Sequence, residues 1–228
     1  PDGSEAEMCG NGIRCLAKYA IERDIARPGP SGLTVETLAG VLTLLPSGAD
    51  GRMDRVKASM GIPRFHPQEI PVALREGVPF DTIQPQGAVV NYPLEVDGVS
   101  LRLAFLSMGN PHAVAFLREP VDSFPLEAVG PQVERHSLFP RRVNFEVAHL
   151  QGRGAIQARV WERGAGLTLA CGSGACAIAV AARLQGLVDD QVDITLPGGT
   201  LTVQWDGQGE VWMEGPVEEV FTGEWEGA

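Results

Sequence analysis

Two short stretches decide the fold: residues 8–12 (MCGNG) and residues 170–174 (ACGSG). Each stretch reads as a small or apolar residue, a cysteine, a glycine, a short polar residue and a second glycine. After the first, apolar residues recur at the i, i+3, i+4 spacing of an amphipathic helix. After the second, residues 175–182 carry no polar side chain except one thiol. A helix that is apolar on all sides is a buried helix.

The similarity between the two halves continues downstream, because each predicted helix is followed by a β-hairpin pattern and a further strand. The predicted strands are 33–37, 41–45 and 56–60 in the first half, and 192–196, 201–205 and 211–213 in the second. The hairpin turns fall at Ala39-Gly40 and at Pro197-Gly198-Gly199. Since this order of elements occurs twice, the sequence predicts two similar domains that face each other.

The two halves differ in what precedes the cysteine. Three alternating patterns, at 101–105, 143–147 and 156–160, predict strands ahead of the second stretch. The first stretch follows Pro1 closely, and the chain begins without a methionine. We therefore expect that the leading strands of the first domain are missing and that the chain is incomplete.

The predicted fold class is α/β in the mixed α+β sense. Two similar domains are related by a pseudo-twofold axis, and each is a curved sheet wrapped around a central helix. Residues 1–65 plus 215–228 form the first domain, and residues 66–214 form the second. Residues 61–71, with three prolines, are a predicted crossover between them. Residues 215–223 are predicted to return to the first domain.

Charge and composition exclude several classes of protein. The formal net charge is −11, which argues against nucleic acid or an anionic membrane as a partner. No apolar run reaches the roughly 18–20 residues of a membrane span, and no signal peptide is visible. These features predict a soluble, cytoplasmic protein.

The four cysteines lie in two pairs, Cys9 with Cys15 and Cys171 with Cys176. Their spacings are not the C-x2-C of common zinc sites, so no metal site is predicted. Structural disulfides are not expected in a cytoplasmic chain. We interpret Cys9 and Cys171 as reactive groups, and we expect Cys15 and Cys176, further along the helices, to pack in the core.

A Cys-Gly-x-Gly stretch at a helix start has a definite chemistry. The first turn of a helix has unpaired N–H groups and the positive end of the helix dipole. Glycines allow that backbone to approach an anion, so each stretch can hold a carboxylate. The same field stabilises a thiolate, and we expect it to lower the pKa of the cysteine.

Two such units facing each other suggest an inversion at carbon. A substrate carboxylate held by both helix starts places its α-carbon between Cys9 and Cys171. One thiolate then removes the α-proton and the opposite thiol delivers a proton to the other face. The N–H groups stabilise the charge that spreads into the carboxylate, so no pyridoxal cofactor is required.

Two other classes of function stay open. A dithiol redox protein would use Cys9 and Cys171 as an exchanging pair, although the chain has no C-x-x-C motif and its duplicated anion sites are unexplained by redox chemistry. The remaining alternative is a zinc-binding or purely structural repeat protein.

Longer motifs around these residues resemble a known family, the diaminopimelate epimerases. The resemblance lies in residues 2–15 (DGSEAEMCGNGIRC), 108–114 (MGNPHAV), 142–145 (RVNF), 162–166 (ERGAG) and 170–176 (ACGSGAC). Related proline racemases carry a histidine where this chain has Asn11, and the phenazine-biosynthesis relatives lack the cysteine pair. The resemblance implies a cofactor-independent isomerase that interconverts LL- and meso-2,6-diaminopimelate in bacterial lysine and peptidoglycan precursor synthesis.

The resemblance also implies roles for individual residues. Cys9 and Cys171 are the acid/base thiols, with His112 and Glu162 supporting the proton transfers. Gly10, Asn11, Gly172 and Ser173 hold the reacting carboxylate. Asn110, Asn144 and Arg163 bind the distal amino-acid end, and Glu162 lies near the substrate amino group. The position of Phe221 implies a homodimer contact.

Each polar residue of this set also has a purely structural interpretation. Asn110 before Pro111 is typical of a turn. Asn144 alternates with apolar neighbours and is compatible with an exposed strand position. Glu162 and Arg163 are compatible with a solvated pair at a strand end. The family's contacts further include an Asn and a Gln in N-terminal strands and an Asn just before the position of Pro1, none of which lies in this sequence.

Overall fold

The computed structural model describes residues 9–38, 40–48 and 53–224. Within them the helices are α1 (Gly10–Glu22), α2 (Leu126–Glu134) and α3 (Gly172–Leu184), with a short 3-10 helix at Val121–Ser123. The strands are β1 (Leu33–Thr37), β2 (Gly40–Ser47), β3 (Arg55–Ser59), β4 (Asp81–Ile83), β5 (Ala88–Val90), β6 (Tyr92–Val96), β7 (Val99–Ser107), β8 (Pro111–Leu117), β9 (Asn144–Gly152), β10 (Ala155–Glu162), β11 (Gly166–Thr168), β12 (Gln191–Leu196), β13 (Gly199–Gln204) and β14 (Trp212–Pro216).

A 12-stranded sheet dominates the molecule. Its strand order is β1-β2-β3-β14-β13-β12-β10-β9-β8-β7-β6, with β11 paired to β10, and β4 and β5 form a separate hairpin. The pairs β10–β12 and β8–β9 are parallel, whereas the other pairs are antiparallel. The mixed α+β class predicted from the sequence is confirmed.

The repeat is present as predicted: α1 is followed by β1, β2 and β3, and α3 by β12, β13 and β14. The predicted strands agree with these elements to within a few residues. One residue of the first hairpin turn, Ala39, lies outside the described residues, as do residues 2–8 of the first long motif. The two halves are joined edge to edge, because β3 pairs antiparallel with β14 and Lys57 stands opposite Glu214.

The two repeated helices differ in burial. Helix α3 is covered on all sides, and Cys176 is buried in its middle as expected. Helix α1 buries the face of Ile13 and Ala17 against the sheet and leaves Leu16 and Tyr19 exposed. Cys15 lies on this exposed side, so its predicted place in the core is wrong, because no described element covers that side of α1.

Apolar side chains form two clusters. One surrounds α3 and also includes Ile13 of α1 and Val56 of β3. The other lies between α2 and strands β6 to β9 and includes Phe105 and Phe145. Because the first cluster contains residues of both halves, the core is continuous across the repeat. The proposed division at residues 65/66 and 214/215 stays a prediction.

Two segments, residues 61–71 and the stretch after β14, have contacts that bear on how the halves are connected. Residues 61–71 carry no helix or named strand, and they are tied to β7 by a bridge between Arg64 and Ser107. The stretch after β14 contacts residues of the first half. Its Val217 N–H donates to the Asp54 carbonyl at 2.9 Å, and Glu219 pairs with Arg23 at 2.8 Å.

Candidate active site

Both predicted reactive cysteines are the N-cap residues of the repeated helices. Cys9 precedes α1 with φ −126° and ψ 113°. Cys171 precedes α3 with φ −129° and ψ 115°. These extended angles are typical of N-cap residues, and their agreement to within a few degrees shows that the chain enters both helices in the same way. The two Cys-Gly-x-Gly stretches are therefore structural as well as sequence repeats.

The two helix starts are in contact. A Cβ atom added at Gly172 would lie 3.3 Å from the Gly10 Cα, and one added at Gly10 would lie 3.4 Å from the Gly172 Cα. The Met213 side chain lies beside both glycines, because its Cε would be 3.1 Å from a Cβ added at Gly10 and 3.2 Å from one added at Gly172. Since each cysteine Cα is one 3.8 Å step from its glycine, the two cysteine Cα atoms are at most about 13 Å apart. The positive ends of two helix dipoles thus converge on one place.

The two thiols have different surroundings. Cys9 is exposed, and the Gly12 N–H donates to its Sγ at 3.4 Å. Cys171 is only 6% exposed, and its Sγ lies 3.5 Å from the Ser173 hydroxyl. Burial, and then the Glu162 carboxylate, raises the pKa of Cys171 well above its ordinary value. The expectation of a lowered pKa is therefore wrong for Cys171, because burial removes the thiol from the water that would stabilise its charged form.

A chain of side chains leads away from Cys171. The Asn110 amide donates from Nδ2 to Ser173 Oγ at 3.2 Å. The Asn110 Oδ1 lies 2.9 Å from His112 Nε2, and His112 Nδ1 lies 2.7 Å from Glu146 Oε1. Both His112 and Glu146 are fully buried. Three residues predicted from the sequence, Ser173, Asn110 and His112, are thus brought together with Cys171.

Glu146 was not identified from the sequence. It is the third residue of β9, whose first five residues are all buried, so the alternation that separates inward from outward positions is absent there. The one available signal was a carboxylate inside an otherwise apolar run. Its Oε1 would lie 3.1 Å from a Cβ added at Gly174, which places this carboxyl beside the first turn of α3.

The residues predicted for the distal end of a substrate lie at the adjoining strand ends. Asn144 donates from Nδ2 to the Pro111 carbonyl at 3.0 Å and accepts from the Arg163 N–H at 2.8 Å. It is 3% exposed, so the exposed-strand interpretation of Asn144 is wrong. Glu162 accepts from the Thr168 hydroxyl at 2.6 Å. Asn144 therefore holds two backbone segments of the site in place.

Arg14 is a second residue that sequence reasoning missed, although it lies within the first cysteine motif. It is buried, donates to the Gly10 carbonyl at 3.0 Å and donates to Asn11 Oδ1 at 3.0 Å. Its Nε has no hydrogen-bond partner among the described residues. Burial lowers the pKa of Arg14, and the neighbouring Cys15 and Cys9 thiols oppose this shift. A positive charge thus lies directly behind the start of α1.

Cys176 provides a test of burial that does not depend on function. Burial raises the pKa of this thiol to about 12 from an ordinary value of 9.0. The folded protein keeps a proton that the unfolded chain releases, so between these values the free energy of unfolding falls as pH rises. The expected slope is about 1.4 kcal/mol per pH unit. In urea titrations, the stability of the wild type relative to Cys176→Ala should fall at this rate from about pH 9 to 11.

Below about pH 8 the stability difference between the wild type and Cys176→Ala should be constant, because the thiol is then protonated in both states. A difference that stays constant up to pH 11 would contradict the assigned burial of this thiol.

The described residues give no structural support to a dithiol redox protein or to a zinc-binding protein. All four cysteines are free thiols. No group of three His, Cys, Asp or Glu side chains in the described part of the chain is arranged to hold a metal ion. Among the same residues, no helix combines the length and the apolar character needed to cross a membrane.

Comparison with known proteins identifies the family. Residues 1–66 and 104–220 match the family profile described as "Diaminopimelate epimerase". The chain belongs to the diaminopimelate epimerase family. It is 44% identical over 224 residues to the diaminopimelate epimerase of Acetivibrio thermocellus, covering 98% of this chain and 75% of that protein. It is 45% identical over 225 residues to that of Pelotomaculum thermopropionicum, covering 99% of this chain and 76% of that protein.

Solved structures confirm the epimerase fold. A hydroxyproline epimerase from Agrobacterium vitis, with bound trans-4-hydroxy-L-proline, superposes with a TM-score of 0.66 at 16% identity and covers 95% of this chain and 65% of its own. A phenazine biosynthesis protein of the PhzF family from Bacillus anthracis superposes with a TM-score of 0.59 at 16% identity, covering 95% and 76%. At such identities the likeness concerns the fold alone.

Membership of the diaminopimelate epimerase family makes this chain an isomerase. The family match includes both cysteine stretches and the strands that carry His112 and Asn144. The contact between the two helix starts therefore lies within the residues that match the family profile.

Proposed function

We propose that this chain interconverts LL- and meso-2,6-diaminopimelate, with Cys9 and Cys171 as the two proton-transfer groups. The observation that carries the proposal is the contact of Gly10 with Gly172, which sets two Cys-Gly helix starts against each other. The names of the similar proteins supply the substrate. The reaction belongs to the bacterial synthesis of lysine and peptidoglycan precursors.

The reacting carboxylate binds between the two helix starts. Backbone N–H groups of Gly10, Asn11, Gly172 and Ser173 are available to this carboxylate, because the first N–H groups of a helix have no partner within it. As the α-proton leaves, negative charge spreads into the carboxylate, and the converging N–H groups and helix dipoles stabilise it there. The chain's own electrostatics thus replace the electron sink that pyridoxal would supply.

The proton balance needs one thiolate and one thiol. In one direction the Cys9 thiolate takes the α-hydrogen as a proton, and the electron pair of the broken C–H bond stays with the α-carbon and its carboxylate. The Cys171 thiol then gives its proton to the opposite face, and a new C–H bond forms with inverted configuration. The raised pKa of Cys171 supports its role as the proton donor in the resting protein. The reverse direction exchanges the two roles.

The distal amino-acid end binds at the ends of β8, β9 and β10. Arg163 offers a guanidinium that can hold a second carboxylate through two hydrogen bonds, and Asn144 fixes the backbone that carries it. Asn110 adds a polar group on the same side. Glu162 lies near the substrate amino group and, with His112, supports the proton transfers next to the thiols.

The working form we propose is a cytoplasmic homodimer. Phe221, 84% exposed, stands with the exposed Val220 in the segment after β14. Two large apolar side chains side by side on a surface favour contact with another protein. A second copy of this chain is the partner we propose for them.

Incubation in deuterated water tests the proposed reaction. The purified full-length protein, with LL-diaminopimelate and no pyridoxal phosphate, is expected to form the meso isomer with deuterium at the inverted α-carbon. The reason is that the delivered proton comes from a thiol that has exchanged with solvent. Mass spectrometry and chiral chromatography measure label and product together.

Hydroxylamine-treated protein serves as the control, since this reagent removes pyridoxal and should leave the rate unchanged. Meso product without deuterium, or no product at all, would contradict the two-base proposal.

A further inference from the structure

Glu146 carries a fully buried carboxyl, and the proposed reaction assigns it no role. Its Oε1 contacts His112 Nδ1 at 2.7 Å, and its Oε2 has no hydrogen-bond partner among the described residues. A buried carboxylate with one unpaired oxygen is costly. Burial raises the pKa of Glu146, whereas the neighbouring His112 opposes the shift. Retaining such a group beside the first turn of α3 calls for an explanation in terms of the site.

The hydrogen bonds fix which nitrogen of His112 carries a proton. Asn110 uses its Nδ2 to donate to Ser173, so its Oδ1 is the atom that faces His112 Nε2. An amide oxygen only accepts, and therefore Nε2 must carry the hydrogen. The remaining proton of the pair is assigned to Glu146, whose pKa burial raises, and Oε1 donates it to His112 Nδ1. The His112–Glu146 pair as a whole is then uncharged, which suits its complete burial.

The direction of the hydrogen bond between Ser173 and Cys171 follows from the same reasoning. The Ser173 Oγ already accepts from Asn110, so its own hydrogen is free to point at Cys171 Sγ, 3.5 Å away. A thiolate has no hydrogen, and only the hydroxyl can then supply one to this contact. Every donor in the series from Glu146 through His112, Asn110 and Ser173 can thus point toward the sulfur when Cys171 is ionised.

We propose that Glu146 is a positioning residue that, through His112, Asn110 and Ser173, directs a hydroxyl donor at the Cys171 thiolate. This inference rests on the proposed function, because it concerns the steps in which Cys171 acts as the base. The aligned hydroxyl offsets part of the cost of ionising a buried thiol. Gly174 permits the arrangement, since a side chain there would press on the Glu146 carboxyl.

Nitrogen-15 spectra of the histidine rings test the inference without any substrate. The chain has only 4 histidines, and a His112→Asn variant assigns the signal. In the wild type we expect a single form of His112 with the hydrogen on Nε2. Glu146→Gln should keep this form, because its amide N–H can donate to Nδ1. Glu146→Leu should give a mixture of the two tautomers, because without a donor at Nδ1 the Asn110 amide is free to turn over and present its Nδ2 to Nε2.

Exchange of the α-hydrogen tests the consequence for Cys171. In a Cys9→Ser background, loss of α-hydrogen from diaminopimelate in deuterated water requires Cys171 as base. Glu146→Leu should slow this exchange roughly tenfold to hundredfold, the range expected for losing a hydrogen bond to a charged group. Glu146→Gln should stay within about threefold. In the Cys171→Ser background, exchange depends on Cys9 instead. The fold reduction of the exchange rate by Glu146→Leu should be at least five times smaller there than in the Cys9→Ser background.

Each outcome decides the point. A single Nε2–H form of His112 in Glu146→Leu, or equal exchange in Glu146→Leu and its parent, would overturn the inference. Equal losses in Glu146→Leu and Glu146→Gln would also overturn it, because the orienting hydrogen bond survives only in the latter.

If Glu146→Leu fails to fold, a double variant decides instead, in which Glu146→Asp is combined with Ser173→Ala. The Glu146→Asp change should slow exchange no further than Ser173→Ala alone, because the terminal hydroxyl is already absent. If the wild type neither epimerises nor exchanges, the proposed function fails, while the spectra still decide the hydrogen-bond series.

Discussion

Cys9→Ser and Cys171→Ser are each expected to lower the kcat of epimerisation by at least about a thousandfold. A positioned acid or base contributes roughly 10²–10⁴ to a rate, and a serine hydroxyl is far too weak an acid to replace a thiol. The fold should survive both changes, because each cysteine is an N-cap residue and serine is among the preferred residues there. Initial rates from LL- and from meso-diaminopimelate, followed by chiral chromatography, measure the effect.

Cys15→Ser is the matched control for Cys9→Ser. Cys15 is an exposed thiol of the same helix, and within the described part of the chain no hydrogen bond ties it to the convergence of the two helix starts. Its replacement is expected to leave kcat within about twofold. Near-normal rates in Cys9→Ser or Cys171→Ser would remove that thiol from the mechanism, whereas a large loss in Cys15→Ser would point to a general effect on α1.

Gly10→Ala and Gly172→Ala are expected to reduce kcat/KM by about tenfold to a hundredfold and to destabilise the fold by about 1–3 kcal/mol. The added methyl group would lie 3.3–3.4 Å from the Cα of the opposite glycine. Backbone cannot move aside as the end of a side chain can, so the two helix starts must separate. The carboxylate between them would then lose part of its N–H contacts. Steady-state kinetics and urea unfolding measure the two losses.

Gly12→Ala is the control for stability, since it makes the same change in the same helix. Its methyl group would meet only Cys9 atoms, at 3.5 and 3.6 Å, which is ordinary contact. The gain of roughly 1 kcal/mol from replacing glycine inside a helix applies to Gly10 and Gly12 alike. A Gly10→Ala variant as stable as Gly12→Ala would contradict the close approach of the two helices.

Features that depend on neighbouring residues in the sequence could be predicted. The two Cys-Gly-x-Gly stretches, the helices behind them and the hairpins after them are encoded by spacing and turn residues close together in the sequence. Helix α2 was not predicted, because Pro131 stands inside it and proline disfavours helix interiors. The pairing of β3 with β14 was not predicted either, since nothing local specifies which strand edge meets another.

The residues of the candidate site likewise fall into those that could be predicted from the sequence and those that could not. Motif residues such as Asn110, His112 and Asn144 were identified from their signatures, but their contacts were not. Glu146 and Arg14 were missed because their importance lies in burial and in partners distant along the chain. The raised pKa of Cys171 has the same origin: a helix start is visible in the sequence, whereas the exclusion of water around it is a property of the packed sheet.

The two helix starts share a backbone conformation but differ in their surroundings. Arg14 lies behind α1, whereas at the start of α3 burial and then the Glu162 carboxylate raise the pKa of Cys171. In the proposed two-thiol mechanism, the form in which Cys171 keeps its proton therefore prevails before substrate arrives. For a two-base epimerase this means that one diastereomer meets the form it needs at once. The other must wait until the proton has redistributed between the two sides.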